Sequence, residues 1–393
     1  MTENPFSVLA GEAVPDSRVR VDDVIAAGRV RVRRRRGAVA AGCAAAVVLV
    51  TLAGVAFAVR PPNDGPARPS PSPSPSVSAH PSGCTVARVD VDGDIGAAFT
   101  DPSGRYVAFS RAPDPGLLIV YRDGVVVRRY TTGGRLQTWA LNASGTAVGA
   151  VDNDAYRTTT DGALAMLPRP SGAARVWAYG INAAGDVVGE AAMPGKKFRA
   201  VLWRHTALDA PVLLPTPSGQ SSSARGITDD GRVLGDLDQG ATPYLWNADG
   251  TGSALPTPPG MPGGHPIQIA GDWVTGMVNY LSVKNFDPTT GRRAGTGDPK
   301  PARWQLSSGT VEILEAEDVF NGSGRVAADG TLVINRFTDA VFWDGTRLTP
   351  LPAPPGYDHV QVTSISADGR VIGGAATKNT GGSIEPFRWD CRR

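Results

Sequence analysis

Six glycines, Gly104, Gly145, Gly185, Gly231, Gly330 and Gly369, close turns of one kind. They recur at intervals of about 40 residues, except that the step from Gly231 to Gly330 is double. The clearest copy runs from Gly180 to Gly219. It opens on an apolar residue and a small polar one, Ile181 and Asn182, and turns at Gly185. It continues through Val187 and Val188 to a run ending in Trp203, then reaches Leu213, Leu214 and Pro215. Gly after Asn, Asp or Ser supplies the positive φ that a hairpin needs. Alternating apolar runs between such turns predict short strands, four per copy. A degraded copy, IQIAGDWVTGM from Ile267, followed by PARW and VEIL, fills the double interval.

The spacing therefore predicts an all-β, seven-bladed β-propeller, with six or eight blades as alternatives. Gly 48 and Pro 33 suit a turn-rich β protein, and a net charge of +2 argues against a polyanion or nucleic-acid partner. The pattern INxxGxVVG, followed by AxLW and LP, resembles the bacterial extracellular repeats called the HAF family, and TDPSGRYVAFS resembles TolB-like and WD-related repeats. The composition, rich in Ala, Gly, Val and Arg, is similar to that of actinobacterial proteins. The resemblance implies a propeller and no particular chemistry, because fold and function are separable.

Four segments are expected. Residues 1–36 read as a cytoplasmic tail, with six arginines between Arg29 and Arg36. Residues 37–59 form an uncharged run of spanning length, expected as a single transmembrane helix. The arginine bias puts the N-terminus in the cytoplasm and the repeats outside the cell. A cleaved signal peptide ending near Ala56-Phe57-Ala58 is the alternative. Residues 60–82 are a Pro/Ser-rich linker of extended character, and 83–393 are the propeller.

The strand from Cys84 has no copy of its own before it, and the last copy stops after its Trp389 strand. The first strand is therefore expected to complete the last blade by pairing with Glu385–Cys391. That brings Cys84 and Cys391 together as a disulfide in an exported domain. Trp203, Trp246, Trp304, Trp343 and Trp389 occupy one position and are expected to pack between blades.

Chemistry is sparse at this level. His80, His205, His265 and His359 share no ligand spacing, so no metal site is expected. Asp90, Asp92, Asp94 and Asp101 copy the acid positions of a calcium loop. Ile95, however, stands where that loop needs Gly, and the last acid is Asp rather than Glu. Asp229, Asp230, Asp329 and Asp368 read as turn formers. Residues six and eight before the turn glycines are expected to line the mouth of the central channel. They are Gln137 and Trp139, Trp177 and Tyr179, Ser223 and Arg225, Gln361 and Thr363. No acid or His is among them, so a non-enzymatic binding or interaction module ranks first. It is expected to be membrane-anchored, extracellular, monomeric and without a cofactor, with a protein or a cell-envelope glycan as partner. A propeller hydrolase or lyase with a channel site, and a sensor signalling through the tail, are the alternatives. Two acids at the channel would reverse that order.

Overall fold

The computed structural model describes residues 83–89, 97–111, 116–279, 286–287, 292–293, 299–314, 319–378 and 384–392. Among these residues are seven four-stranded antiparallel sheets, each following its own stretch of chain except the last. The inner strands are Ala97–Thr100, Leu136–Leu141, Arg175–Ile181, Ser222–Ile227, Gly264–Ala270, Val319–Val326 and His359–Ile365, taken as blades 1 to 7. The chain is a seven-bladed β-propeller. The degraded copy forms blade 5, where a chain excursion separates Trp273–Val278 from Lys300–Gln305 without breaking their pairing.

Blade 7 is closed by the N-terminal strand. Cys84–Arg88 pairs antiparallel with the last strand, with Cys84 opposite Cys391, and a disulfide joins the two cysteines. The ring thus ends where it began.

A single blade cannot bury its own faces, and the apolar core is accordingly divided among the blade interfaces. Tyr130 and Leu136 belong to a cluster between blades 1 and 2, Val176 and Trp203 to one between 2 and 3, and Trp246 to one between 3 and 4. The repeated tryptophans fill these seams, and truncating any one of the four fully buried ones to Ala is worth about 3–5 kcal/mol. Their indole N–H groups explain the LP that recurs in the repeat. Trp203, Trp246, Trp304 and Trp389 donate to the carbonyls of Pro168, Pro215, Pro256 and Pro352, at 2.8, 2.6, 2.6 and 2.8 Å. Each proline follows the outer strand of the preceding blade, so each Trp ties its blade to the one before.

The hairpin turns form a second set of ties around the axis. Gly145, Gly185 and Gly231 have φ of 77°, 94° and 85°, the conformation the turn demands. The small polar residue before each turn serves two neighbours. Asn182 accepts from the Asp186 amide at 2.8 Å, and Asn142 donates to the Asn182 carbonyl at 3.0 Å. Asp229 accepts from the Ala183 amide at 2.8 Å, and Asp101 accepts from the Ser103 and Tyr106 amides at 2.8 and 2.6 Å. The turn acids are thus structural. Asp90, Asp92 and Asp94 lie outside the described residues.

The membrane reading is corrected. Among the described residues no helix is long and apolar enough to cross a membrane, and 37–59 lies outside them, as do 1–36 and 60–82. The single-pass anchor, the membrane as partner and the extracellular placement of the repeats therefore have no structural footing. The physical reason is that an Ala- and Gly-rich run of sufficient length permits a span without requiring one.

Candidate active site in the central channel

Five of the seven inner strands break their ladder at one place. Register shifts fall between Thr138 and Ala140, Ala178 and Gly180, Ala224 and Gly226, Pro266 and Gln268, and Val362 and Ser364. The bulged residue in each is Trp139, Tyr179, Arg225, Ile267 and Thr363. All five line one central cavity of about 730 Å³, to which the inner strands of all seven blades contribute. That is the size of a small-molecule site.

The bulge depends on a glycine on the second strand. Gly149, Gly189, Gly235, Gly276 and Gly374 sit under the carbonyls of Gln137, Trp177, Ser223, His265 and Gln361. A Cβ there would come closer than 3.0 Å to that oxygen. The glycine of VVG is therefore what lets the inner strand swell toward the axis and deliver a side chain to the cavity.

The four residues expected six before the turn glycine, Trp139, Tyr179, Arg225 and Thr363, line the cavity. The four expected eight before it do not. Gln137 and Gln361 oppose Ala150 and Ala375, Trp177 packs on Phe198 at 6.3 Å, and Ser223 is buried.

Behind the wall lies a polar network that sequence reasoning missed. The Tyr179 hydroxyl donates to Glu190 Oε1 at 2.8 Å. Arg225 Nε donates to Asp236 Oδ2 at 3.3 Å, and its guanidinium lies 4.9 Å from the centre of the Tyr179 ring. His265, itself on the cavity wall, places Nδ1 3.7 Å from Asp236 Oδ2. Asp236 is fully buried and accepts from the Gly240 amide at 2.8 Å. Trp139 meets Tyr179 edge to face at 5.0 Å. Blades 2 to 5 thus share one continuous arrangement: indole, phenol, guanidinium, carboxylate, imidazole.

The network shifts its own proton affinities. Burial, reinforced by the Arg225 charge, pushes His265 down to about 4, so its imidazole is neutral at neutral pH. Burial raises the Asp236 carboxyl against the opposing pull of Arg225. Burial and the neighbouring Glu190 raise the Tyr179 phenol. Burial pulls Arg225 down, but Asp236 and Glu190 outweigh it and the guanidinium is raised overall. Two carboxylates, a neutral imidazole and a phenol held protonated offer both proton acceptors and donors beside the cavity.

A pH dependence of stability follows. The unfolded chain protonates His265 near the ordinary value of 6.5, whereas the folded chain resists until about 4. Stability from this group is present above 6.5 and declines as pH falls toward 4, by on the order of 2–3 kcal/mol. Asp236, shifted upward, acts in the opposite sense on acidification. Melting of wild type and His265→Gln from pH 7 to 4 isolates the imidazole. The variant is expected to lose less stability, and parallel curves would show that the imidazole is not held neutral.

The missed residues had a signal. Glu190 and Asp236 directly follow the strand-two glycine in VVGE and VLGD. His265 opposes Met277 as Trp177 opposes Glu190 and Ser223 opposes Asp236, so it belongs to the same column. Blade 5 turns earlier than its neighbours, and that hid the column from counting. The expectation that the channel holds no acid or His is overturned, and with it the preference for a non-enzymatic module. Among the described residues no group of three or more His, Cys, Asp and Glu is arranged to hold a metal ion.

No family model matches this chain, and no curated protein matches it. The resemblance to HAF-type repeats therefore finds no support. The residues that carried it are turn glycines, blade-seam tryptophans and strand valines, which blade geometry imposes whatever the ancestry. Solved structures do match across the propeller. A streptogramin B lyase superposes with a TM-score of 0.51 at 11% identity, covering 79% of this chain and 98% of that one. A virginiamycin B lyase from Staphylococcus aureus, a histidine-to-alanine variant described as catalytically inactive and solved with quinupristin, gives a TM-score of 0.53 at 14% identity. It covers 78% and 99% of the two chains. The WD40 repeats of RRP9 give 0.51 at 9% identity, covering 78% and 97%. At these identities the likeness establishes the fold alone.

Proposed function

We propose that the central channel is an active site that cleaves a small organic substrate by elimination. The observation that carries this reading is that His265 and Tyr179 line one cavity while each has a carboxyl group behind it, Asp236 near His265 and Glu190 on the Tyr179 hydroxyl. His265 is the proton acceptor: its neutral imidazole takes a proton from carbon beside a carbonyl. The electron pair left behind forms the new double bond as the adjacent carbon–oxygen bond breaks. Tyr179, hydrogen-bonded to Glu190, supplies a proton to the departing oxygen. Arg225 stands beside the charge that develops, and Trp139 and Tyr179 offer aromatic surface to hold the substrate. Two of the fold's solved relatives are lyases, and one of them is described as inactive once a histidine is replaced. That supports the reaction class without assigning a substrate.

Quinupristin, the compound solved with that relative, is the first probe. The full chain is expected to turn it over without taking up water, whereas hydrolysis would add the mass of water to the product. His265→Ala is expected to lower kcat/KM by roughly 10²–10⁴-fold, the usual contribution of a general base. No turnover of quinupristin or of simpler β-acyloxy carbonyl compounds by wild type would sink the proposal, as would full activity in His265→Ala.

A further inference from the structure

The channel is not electrically uniform. In the polar network each cation has an acid nearby: Arg225 faces Asp236, and at the turn rim Arg232 pairs with Asp230 at 2.9 Å. Arg325 is the exception. It lies on the inner strand of blade 6 and lines the cavity. Its Nε donates to the Thr363 carbonyl at 2.6 Å, and its Nη1 donates to the Gly324 carbonyl at 2.9 Å. Among the described residues no carboxylate pairs with it, and its Nη2 makes no hydrogen bond. Two carbonyl contacts fix the guanidinium between blades 6 and 7 and leave the outer edge of the fork unused.

A half-buried cation without a counter-ion is costly to maintain, and here burial pulls the guanidinium down to about 10. A guanidinium already held by its inner edge is well suited to bidentate contact with a planar or tetrahedral oxyanion. In a ring of seven blades, the seam between 6 and 7 lies across the axis from Tyr179 on blade 3. A ligand spanning the channel would thus set its anionic end at Arg325 and its other end against the aromatic and proton-transfer groups.

We propose that Arg325 forms an oxyanion subsite and that the channel takes ligands carrying a carboxylate or phosphate group. The inference rests on the channel being a ligand site, but not on elimination as its chemistry. Calorimetric titration of the full chain tests it with three aromatic probes: benzoate, phenyl phosphate and uncharged benzamide. Wild type is expected to bind at least one of the anions at least 10-fold more tightly than benzamide, and the stronger of the two identifies the anion class. Arg325→Gln is expected to weaken anion binding by about 10-fold or more, leaving benzamide unchanged. Anions that bind no better than benzamide, or that bind wild type and Arg325→Gln equally, overturn the subsite. Should Arg325→Gln not fold, Arg325→Lys is read in its place. Weakened binding of the anions alone then supports the subsite, and unchanged binding overturns it. Quinupristin turnover by wild type separates the two proposals: absent turnover with anion binding that depends on Arg325 sinks elimination and leaves the subsite, and turnover without preferential anion binding does the reverse.

Discussion

Reducing the Cys84–Cys391 bridge is expected to remove about 5 kcal/mol of stability, the figure that chain entropy gives for so long a loop. The sequence separation is 307 residues, so the bridge constrains nearly the whole propeller in the unfolded state. The effect is also local. Cys84–Arg88 is the outer strand of blade 7, and its partners run from Cys391 to Phe387. Without the bridge that strand holds through its ladder, the Arg88–Glu385 ion pair and the Val86 contact with the blade 6–7 core. Differential scanning calorimetry of the oxidised and reduced protein, and of Cys84→Ser, measures the effect. All three should melt at the same temperature if strand pairing alone closes the ring. A truncation that removes residues 84–88 is expected to cost more than Cys84→Ser, since it also opens an edge at blade 7.

Gly189→Ala is expected to destabilise the protein by about 3 kcal/mol or more and to displace Tyr179. The added methyl would press on the Trp177 carbonyl, which is backbone and cannot swing aside. Relief requires the inner strand of blade 3 to lose its bulge, which would return Tyr179 to the ladder and away from Glu190. Gly133→Ala is the control, because a Cβ there meets nothing within 4 Å and the residue lacks a positive φ. Urea unfolding gives the energies. Ligand binding in Gly189→Ala at a temperature where it remains folded reports the displacement. Stability equal to that of Gly133→Ala would refute the role given to the glycine.

These two expectations sit on different kinds of information. The Cys pair was legible because it needed only counting: an unmatched strand at the start and a missing strand at the end. The seam tryptophans were legible for the same reason, since each copy repeats the residue. The bulge was half legible. Counting from the turn found Trp139, Tyr179, Arg225 and Thr363 but attached Gln137, Trp177, Ser223 and Gln361 to the same surface. A regular strand puts alternate residues on one face. The register shift interrupts that rule between the two positions, and no single strand announces it.

The repeat period by itself determined the blade and the way the ring is fastened, because each is a property of one unit or of the two chain ends, and it pointed to seven blades with six or eight left open until the sheets were seen. Only the tertiary structure decided where the chemistry lies. Glu190, Asp236 and His265 belong to three different sheets, and although Glu190 and Asp236 share one place after the second-strand glycine, that pattern does not bring them together with His265. They meet because the ring turns adjacent blades toward one axis and because a glycine in each second strand lets the facing strand bulge into the space between.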